Sequence, residues 1–248
     1  MKLRAFAPRT ETGKKFIKAL EKLSYRHSVW NIWTDFIKLT AISLSNAREP
    51  REDIRLAREN QYQNLFDMYT TEEQALFIDM FACLMESYME NPAQDFLGSL
   101  YMGLDFGNGW KGQFFTPWHV AEMMAKMNVS SDTEAELTEK GYVSLCDPTC
   151  GSGVMLLAFA NAFKTVTGKD FTDKVLFVGQ DLDPVVAKMC YIQLSLIGAA
   201  GYVKIGNSLT DPITNCDVSE NIWFTPKYFT SSWLDKLYIS KGVVCDGT

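Results

Sequence analysis

Histidine is nearly absent from this chain, at two residues in 248 (His27 and His119). With so few imidazoles, and no Cys-x-x-Cys among its six cysteines, no metal site is expected. Cys83, Cys146, Cys150, Cys190, Cys216 and Cys245 fall mostly in or beside apolar runs, which reads as reduced core thiols in a cytoplasmic protein. No apolar run approaches the ~20 residues of a membrane span, and the opening MKLRAFAPRTETGKKF lacks the apolar segment of a secretory leader. Neither a membrane nor export is expected. Internal repeats and low-complexity tracts are missing too.

Each part of the chain is short of one sign of charge. Residues 1–60 carry 13 Lys and Arg against 7 Asp and Glu, while the remaining 188 carry 11 against 23. A basic front suits nucleic-acid phosphates or an acidic partner. It suits equally a set of solvated helix faces, since the basic residues are spread out.

The front reads as helix. In SVWNIWTDFIKLTAISLSN, Trp30, Trp33, Phe36, Ile37, Thr40 and Leu44 recur at spacings of three and four, an apolar stripe. TTEEQALFIDMFACLMESYMENP predicts a second helix capped by Thr71, with a stripe of Leu76, Met80, Phe81, Leu84, Met85 and Tyr88, ending before Pro92. DFGNGWKGQFF, with Gly107, Gly109 and Gly112, cannot hold a helix and predicts a boundary, residues 1–104 on one side and 105–248 on the other. TPWHVAEMMAKM then predicts a helix with Thr116 as cap and Pro117 first.

From residue 143 the period changes. YVSLC, KVLFVGQDLD and GYVKIGNSL read as strands; GVMLLAFANAF and PVVAKMCYIQLSLIG read as the helices between them. This alternation predicts an α/β fold, a helical domain followed by a truncated, doubly wound parallel sheet.

The first strand runs into CDPTCGSG. No Gly-Lys-Ser/Thr follows these glycines, so it is not a P-loop, and the third glycine of a dinucleotide fingerprint is replaced by Leu156. Acids end the strands instead: Asp147 after the first, Asp181 and Asp183 after the second. They would repel a pyrophosphate. S-adenosylmethionine fits better, with a sulfonium, an ammonium and two ribose hydroxyls for a carboxylate to bind.

The blocks KGQFFTPWHVAEMM, CDPTCGSGVMLLAF, FVGQDLDPVVAKMCYIQLSLIG and GNSL, in that order, resemble the methylation subunits of type I restriction-modification systems. Those are S-adenosylmethionine-dependent adenine-N6 DNA methyltransferases with a helical N-terminal domain. The resemblance covers roughly residues 93–211. It implies that Gln113, Phe114, Phe115, Thr116 and Pro117 close over the methionine end of the cofactor, Thr116 meeting its carboxylate. It implies a glycine loop of Asp147, Cys150, Gly151, Ser152 and Gly153, and a ribose site at Asp181 beside Leu182. Asn207 stands where the family has an Asp that receives the adenine amino group; its side-chain carbonyl could accept the same bond. DNA and the specificity and restriction subunits are the implied partners.

The family's catalytic Asn-Pro-Pro-Phe/Tyr is not found. Pro-Pro occurs nowhere, and Asn91-Pro92 ends a helix in the front. FTPKYF, with Pro226, Tyr228 and Phe229, is either a divergent acceptor site or a packed aromatic loop. Too few residues follow Pro212 for the rest of a methyltransferase sheet. No catalytic residue is assigned. A binding module without chemistry, a decoy or regulator of a restriction system, is the alternative reading.

Overall fold

The computed structural model describes residues 8, 10–106, 114–214 and 219–240. Among these, five helices make the front. α1 (Glu11–Leu23) starts where Thr10 accepts from the Gly13 N–H, and α2 (Val29–Asn46) where Ser28 accepts from Asn31. α3 (Glu52–Phe66) lacks a side-chain cap, and Arg58 is its buried residue. α4 (Thr71–Glu90) opens with a capping box between Thr70 and Glu73. The cap is therefore one residue earlier than the expected Thr71, because Glu73 must stand three positions after it to reach back. α5 (Phe96–Gly103) is capped by Asp95.

The α2 stripe buries Trp33, Phe36, Ile37 and Thr40, with Trp30 and Leu44 packed at its margin. On α4 the buried face is turned slightly from the expected one: Phe77 and Cys83 join Met80, Leu84 and Tyr88, while Met85 is 42% exposed. α6 (Trp118–Asn128) begins one residue later than expected. Pro117 is its cap, at an extended ψ of 142°, and Thr116 lies outside the helix.

After α7 (Ser131–Lys140) come β1 (Val143–Asp147), α8 (Val154–Thr167), β2 (Val175–Asp181), α9 (Pro184–Leu196) and β3 (Ala200–Ile205). The three strands are parallel, with Leu145 beside Phe177 and Phe177 beside Gly201. β4 (Ile222–Phe224) then pairs antiparallel with β3, giving the order β1-β2-β3-β4. The α/β class and the helical front are as expected. The described sheet is wound in one direction only, and the antiparallel β4 was not expected. Right-handed crossovers running one way put α8 and α9 on the same face, where they touch. Among the described residues no helix stands between β3 and β4, in keeping with their antiparallel pairing.

The helical front packs on this face, α2 and α5 against α9. One apolar core runs from Phe16 and Trp33 in the front to Phe163 and Tyr191 behind the sheet, and so crosses residue 104. α10 (Ser231–Ser240) covers the other face, where Trp233 meets Leu176, Val178, Tyr202 and Ile222. The outer edge of β1 has no strand partner among the described residues, and Ser144 and Cys146 on it are exposed. No helix of the described residues is long and apolar enough to cross a membrane.

Candidate cofactor site at the carboxyl edge of the sheet

Parallel strands deliver their carboxyl ends to one edge, and here three of them are tied together by hydrogen bonds. The Gly151 N–H donates to Asp181 Oδ2 at 2.9 Å, joining the loop after β1 to the end of β2. The Cys150 N–H donates to the Gln180 carbonyl at 2.9 Å, and the Gly206 N–H to the Asp181 carbonyl at 3.0 Å, bringing in the end of β3. The Gln180 side chain then holds the loop beyond β3, donating to the Asp211 carbonyl and accepting from the Ile213 N–H.

The glycine loop needs its glycines for two reasons. Gly151 and Gly153 have φ of 56° and 96°, in the left-handed region. A Cβ on Gly153 would also stand 2.8 Å from Cys190 Sγ, and one on Gly151 would meet the Phe115 ring at 3.4 Å. That ring stacks on Tyr101 with centroids 5.2 Å apart. Phe115 thus wedges between the helical front and the loop. By covalent reach, Thr116 Cα lies within about 13 Å of Gly151.

Two carboxylates sit at this edge. Asp181 Oδ1 accepts from the Asp183 N–H at 2.9 Å while Oδ2 holds the loop. Asp147 accepts from the Thr149 N–H at 3.1 Å. Burial raises the Asp147 pKa above the ordinary carboxylate range; the Thr149 bond opposes the rise and the Asp181 charge adds to it. Asp183 is the cap of α9, accepting from Val185 and Val186. Leu182, between the acids, is 69% exposed, and Phe114 is 74% exposed.

Other expected residues sit differently. Ser152 is wholly buried, and its hydroxyl donates to Asp95 Oδ2 at 2.8 Å, so its side chain faces the protein and not a ligand. Cys150 is also buried, its sulfur in contact with Cys190. Asn207 Oδ1 accepts from the Leu209 N–H at 2.9 Å and the Thr210 N–H at 3.4 Å. An adenine amino group would compete with those bonds for that oxygen. Gln113 lies outside the described residues.

FTPKYF is a packed aromatic segment. Thr225 Oγ1 donates to the Ala199 carbonyl and accepts from the Gly201 N–H, at the amino end of β3. That is the opposite edge of the sheet from Asp147 and Asp181, and the far side from β1. Tyr228 packs on Tyr202 and Phe224. The segment is not placed to act as an acceptor site.

Sequence reading missed a buried polar knot behind the glycine loop. Asp95 Oδ1 accepts from the Gly98 N–H at 2.9 Å and from Gln193 Nε2 at 2.8 Å. Gln193 Nε2 also donates to the Ser152 carbonyl at 2.7 Å, and its Oε1 accepts from Leu97 N–H and the Tyr88 hydroxyl. Burial raises the Asp95 pKa, against the hydrogen bonds from Gln193, Ser152 and Gly98 that lower it. Tyr101 was missed as well; burial, with the charges of Asp183 and Asp181, raises its phenol pKa to about 12. Neither residue was singled out in the chain.

Parallel strand ends on one edge, acids at two of them and a glycine loop braced by a helical front together define an α/β fold of the methyltransferase-like kind. The sequence model of the N-6 DNA Methylase family matches residues 93–243, more than half of the chain. The chain belongs to that family. Among solved structures it is similar to a candidate class I S-adenosylmethionine-dependent methyltransferase from Listeria monocytogenes, with 14% identity and a TM-score of 0.41. That likeness covers 82% of this chain and 56% of the other, so this chain spans little more than half of its length.

Proposed function

We propose that this chain binds S-adenosylmethionine at the carboxyl edge of β1, β2 and β3. We propose further that it serves adenine-N6 DNA methylation as the methylation subunit of a type I restriction-modification system, beside specificity and restriction subunits. The observation that carries the reading is the Asp181 carboxylate. It takes one N–H on each oxygen, from Gly151 and Asp183. A carboxylate has about four lone-pair sites, which leaves roughly two for a pair of ribose hydroxyls.

The rest of the edge suits the same ligand. Asp147 adds negative charge toward a sulfonium and an ammonium. Leu182 and Phe114 offer apolar surface for the adenine, and Thr116 would hold the methionine carboxylate. Phe115 holds the QFFTP segment against the glycine loop. When bound, the cofactor supplies an electrophilic methyl group; these residues bind and orient it. In this reading a second polypeptide contributes the acceptor site and the reading of DNA sequence. The remote position of FTPKYF also favours a second reading, a methyltransferase-like binding module without chemistry.

Calorimetric titration with S-adenosylhomocysteine tests the cofactor reading. Asp181→Ala removes charge-assisted hydrogen bonds worth about 1.5–3 kcal/mol, so affinity should fall at least about tenfold. No binding by the intact protein at millimolar ligand would overturn the reading. Tritiated methyl transfer to DNA, with and without partner subunits, separates the two functional readings: transfer supports the first, and its absence in both mixtures the second.

A further inference from the structure

Between α2, α3 and the amino end of α9 lies a cleft of about 730 Å³. Its wall is partly apolar, with Ile37, Ile54 and Trp223, and partly cationic, with Lys38, Arg58 and Lys188. The three cations are not equivalent. Arg58 is fully used: it donates to Ser45, Glu49 and the carbonyls of Glu220 and Ile222, and its guanidinium lies 3.8 Å from the Trp223 ring centre.

Among the described residues Lys188 has no carboxylate in ion-pair contact. Its ammonium donates to the Pro184 carbonyl at 3.1 Å and stands 5.2 Å from the centre of the same indole. Burial, then the charges of Lys38 and Arg58, push its pKa down to about 8, with Asp183 acting the other way. Lys38 makes no hydrogen bond or ion pair among the described residues. Three carboxylates, Asp35, Asp53 and Glu220, line the cleft as well, and Asp183 is the acid whose charge acts on Lys188. Asp35 on α2 accepts from the Tyr69 hydroxyl at 2.5 Å. Asp183 caps α9, and Asp53 on α3 and Glu220 before β4 are exposed to solvent.

A half-buried ammonium that shares a cleft with two other cations is stabilised when an anion joins them. We propose that the cleft binds a phosphate group, held by Lys38 and Lys188 with Arg58 behind them, while the remainder of the ligand lies on the apolar wall. Lysine ammoniums are compact charges with three donors each, and two of them on separate helices suit a tetrahedral oxyanion with several free oxygens. The phosphate can come from a DNA backbone or from a free nucleotide-like molecule. The site is independent of the cofactor reading.

Pyrophosphate and a short DNA duplex serve as separate calorimetric probes, on the intact protein and on Lys188→Gln, Lys188→Arg and Lys38→Gln. At least one probe should bind. Each Gln variant should weaken that binding about tenfold or more, and Lys188→Arg should keep most of it, since charge is what is removed. Lys188 loses its proton as pH rises through its pKa, so affinity should fall between about pH 7 and about pH 9.5, and fall less in Lys188→Gln. Binding of the duplex alone identifies a nucleic-acid source; binding of pyrophosphate identifies a free phosphorylated ligand. Failure of both probes to bind at millimolar concentration, or binding that both Gln variants leave intact, would overturn the proposal. Parallel titration with S-adenosylhomocysteine keeps that result separate from the cofactor site.

Discussion

Asp95 shows how one side chain can join a scaffold to a ligand loop. It caps α5, receives the Ser152 hydroxyl and is bound by Gln193, which itself holds the Ser152 carbonyl. Asp95→Ala would leave buried donors on Ser152, Gln193 and Gly98 without an acceptor, at about 1–3 kcal/mol for each group left unpaired. The loss should appear in urea denaturation and, by loosening the loop, in weaker cofactor binding. Asp95→Asn should cost much less, because its carbonyl can keep the Gly98 and Gln193 bonds. The pH dependence has a definite sign. Burial raises the folded-state pKa of Asp95 above its unfolded value. Its proton therefore stabilises the fold, fully below the unfolded pKa, and that contribution is lost as pH rises through the folded pKa. Wild type should accordingly gain stability relative to Asp95→Asn as pH falls through the carboxylate range, and a gap that widened in wild type's disfavour would refute this account. Nothing local in the sequence announces the knot, because Gln193 is 98 positions from Asp95 and reads as one more polar residue in an apolar helix.

At the scale of elements, the parts that could be read from the chain are those whose signals are local. The change of period after Tyr142 gave β1, α8, β2, α9 and β3, whereas Asp183, read as an acid ending a strand, is the cap of α9. β4 could not be read, since it has three residues and exists by pairing Tyr202 with Phe224 and Lys204 with Ile222. The start of α6 was misplaced by one residue because Pro117 suits a cap as well as a first turn. The glycine loop was legible as a turn, but the reason for Gly153 was not. Its φ of 96° is a local demand; the approach of Cys190 Sγ, which leaves no room for a methyl group, is imposed by α9. Gly153→Ala should therefore be destabilising by about 1–3 kcal/mol through backbone strain, with a further cost as α8 and α9 part. Thermal unfolding measures this, and an unchanged melting temperature would mean that the loop relaxes without penalty.

The charge asymmetry of the whole molecule also looks different once folded. Two of the basic residues in the front, Arg51 and Arg58, are neither solvated nor free for a partner. Both pair with the buried Glu49, and both reach the backbone around β4. Arg58 stacks on Trp223, and Arg51 lies 5.1 Å from the centre of the Phe224 ring. Through these contacts α3, which buries no other residue, is fastened to the last strand of the sheet. The helical front and the sheet should then unfold together, with Arg58 as a main tie. Arg58→Ala would strip a hydrogen-bonded charge from the side of Glu49, leave the Glu220 carbonyl without its guanidinium donor and leave Ile222 only the longer bond from Arg51. Breaking one side of a buried pair in this way costs about 3–5 kcal/mol, although Arg51 remains to shield Glu49 and favours the lower end. Arg55, on the same helix, faces Glu52 at the surface at 3.9 Å, and Arg55→Ala should change stability by less than about 1 kcal/mol. Chemical denaturation of the two variants measures the contrast, and hydrogen exchange at Ile222–Phe224 locates it. If Arg58→Ala proved as mild as Arg55→Ala, the front would be held by its apolar contacts with α9 alone.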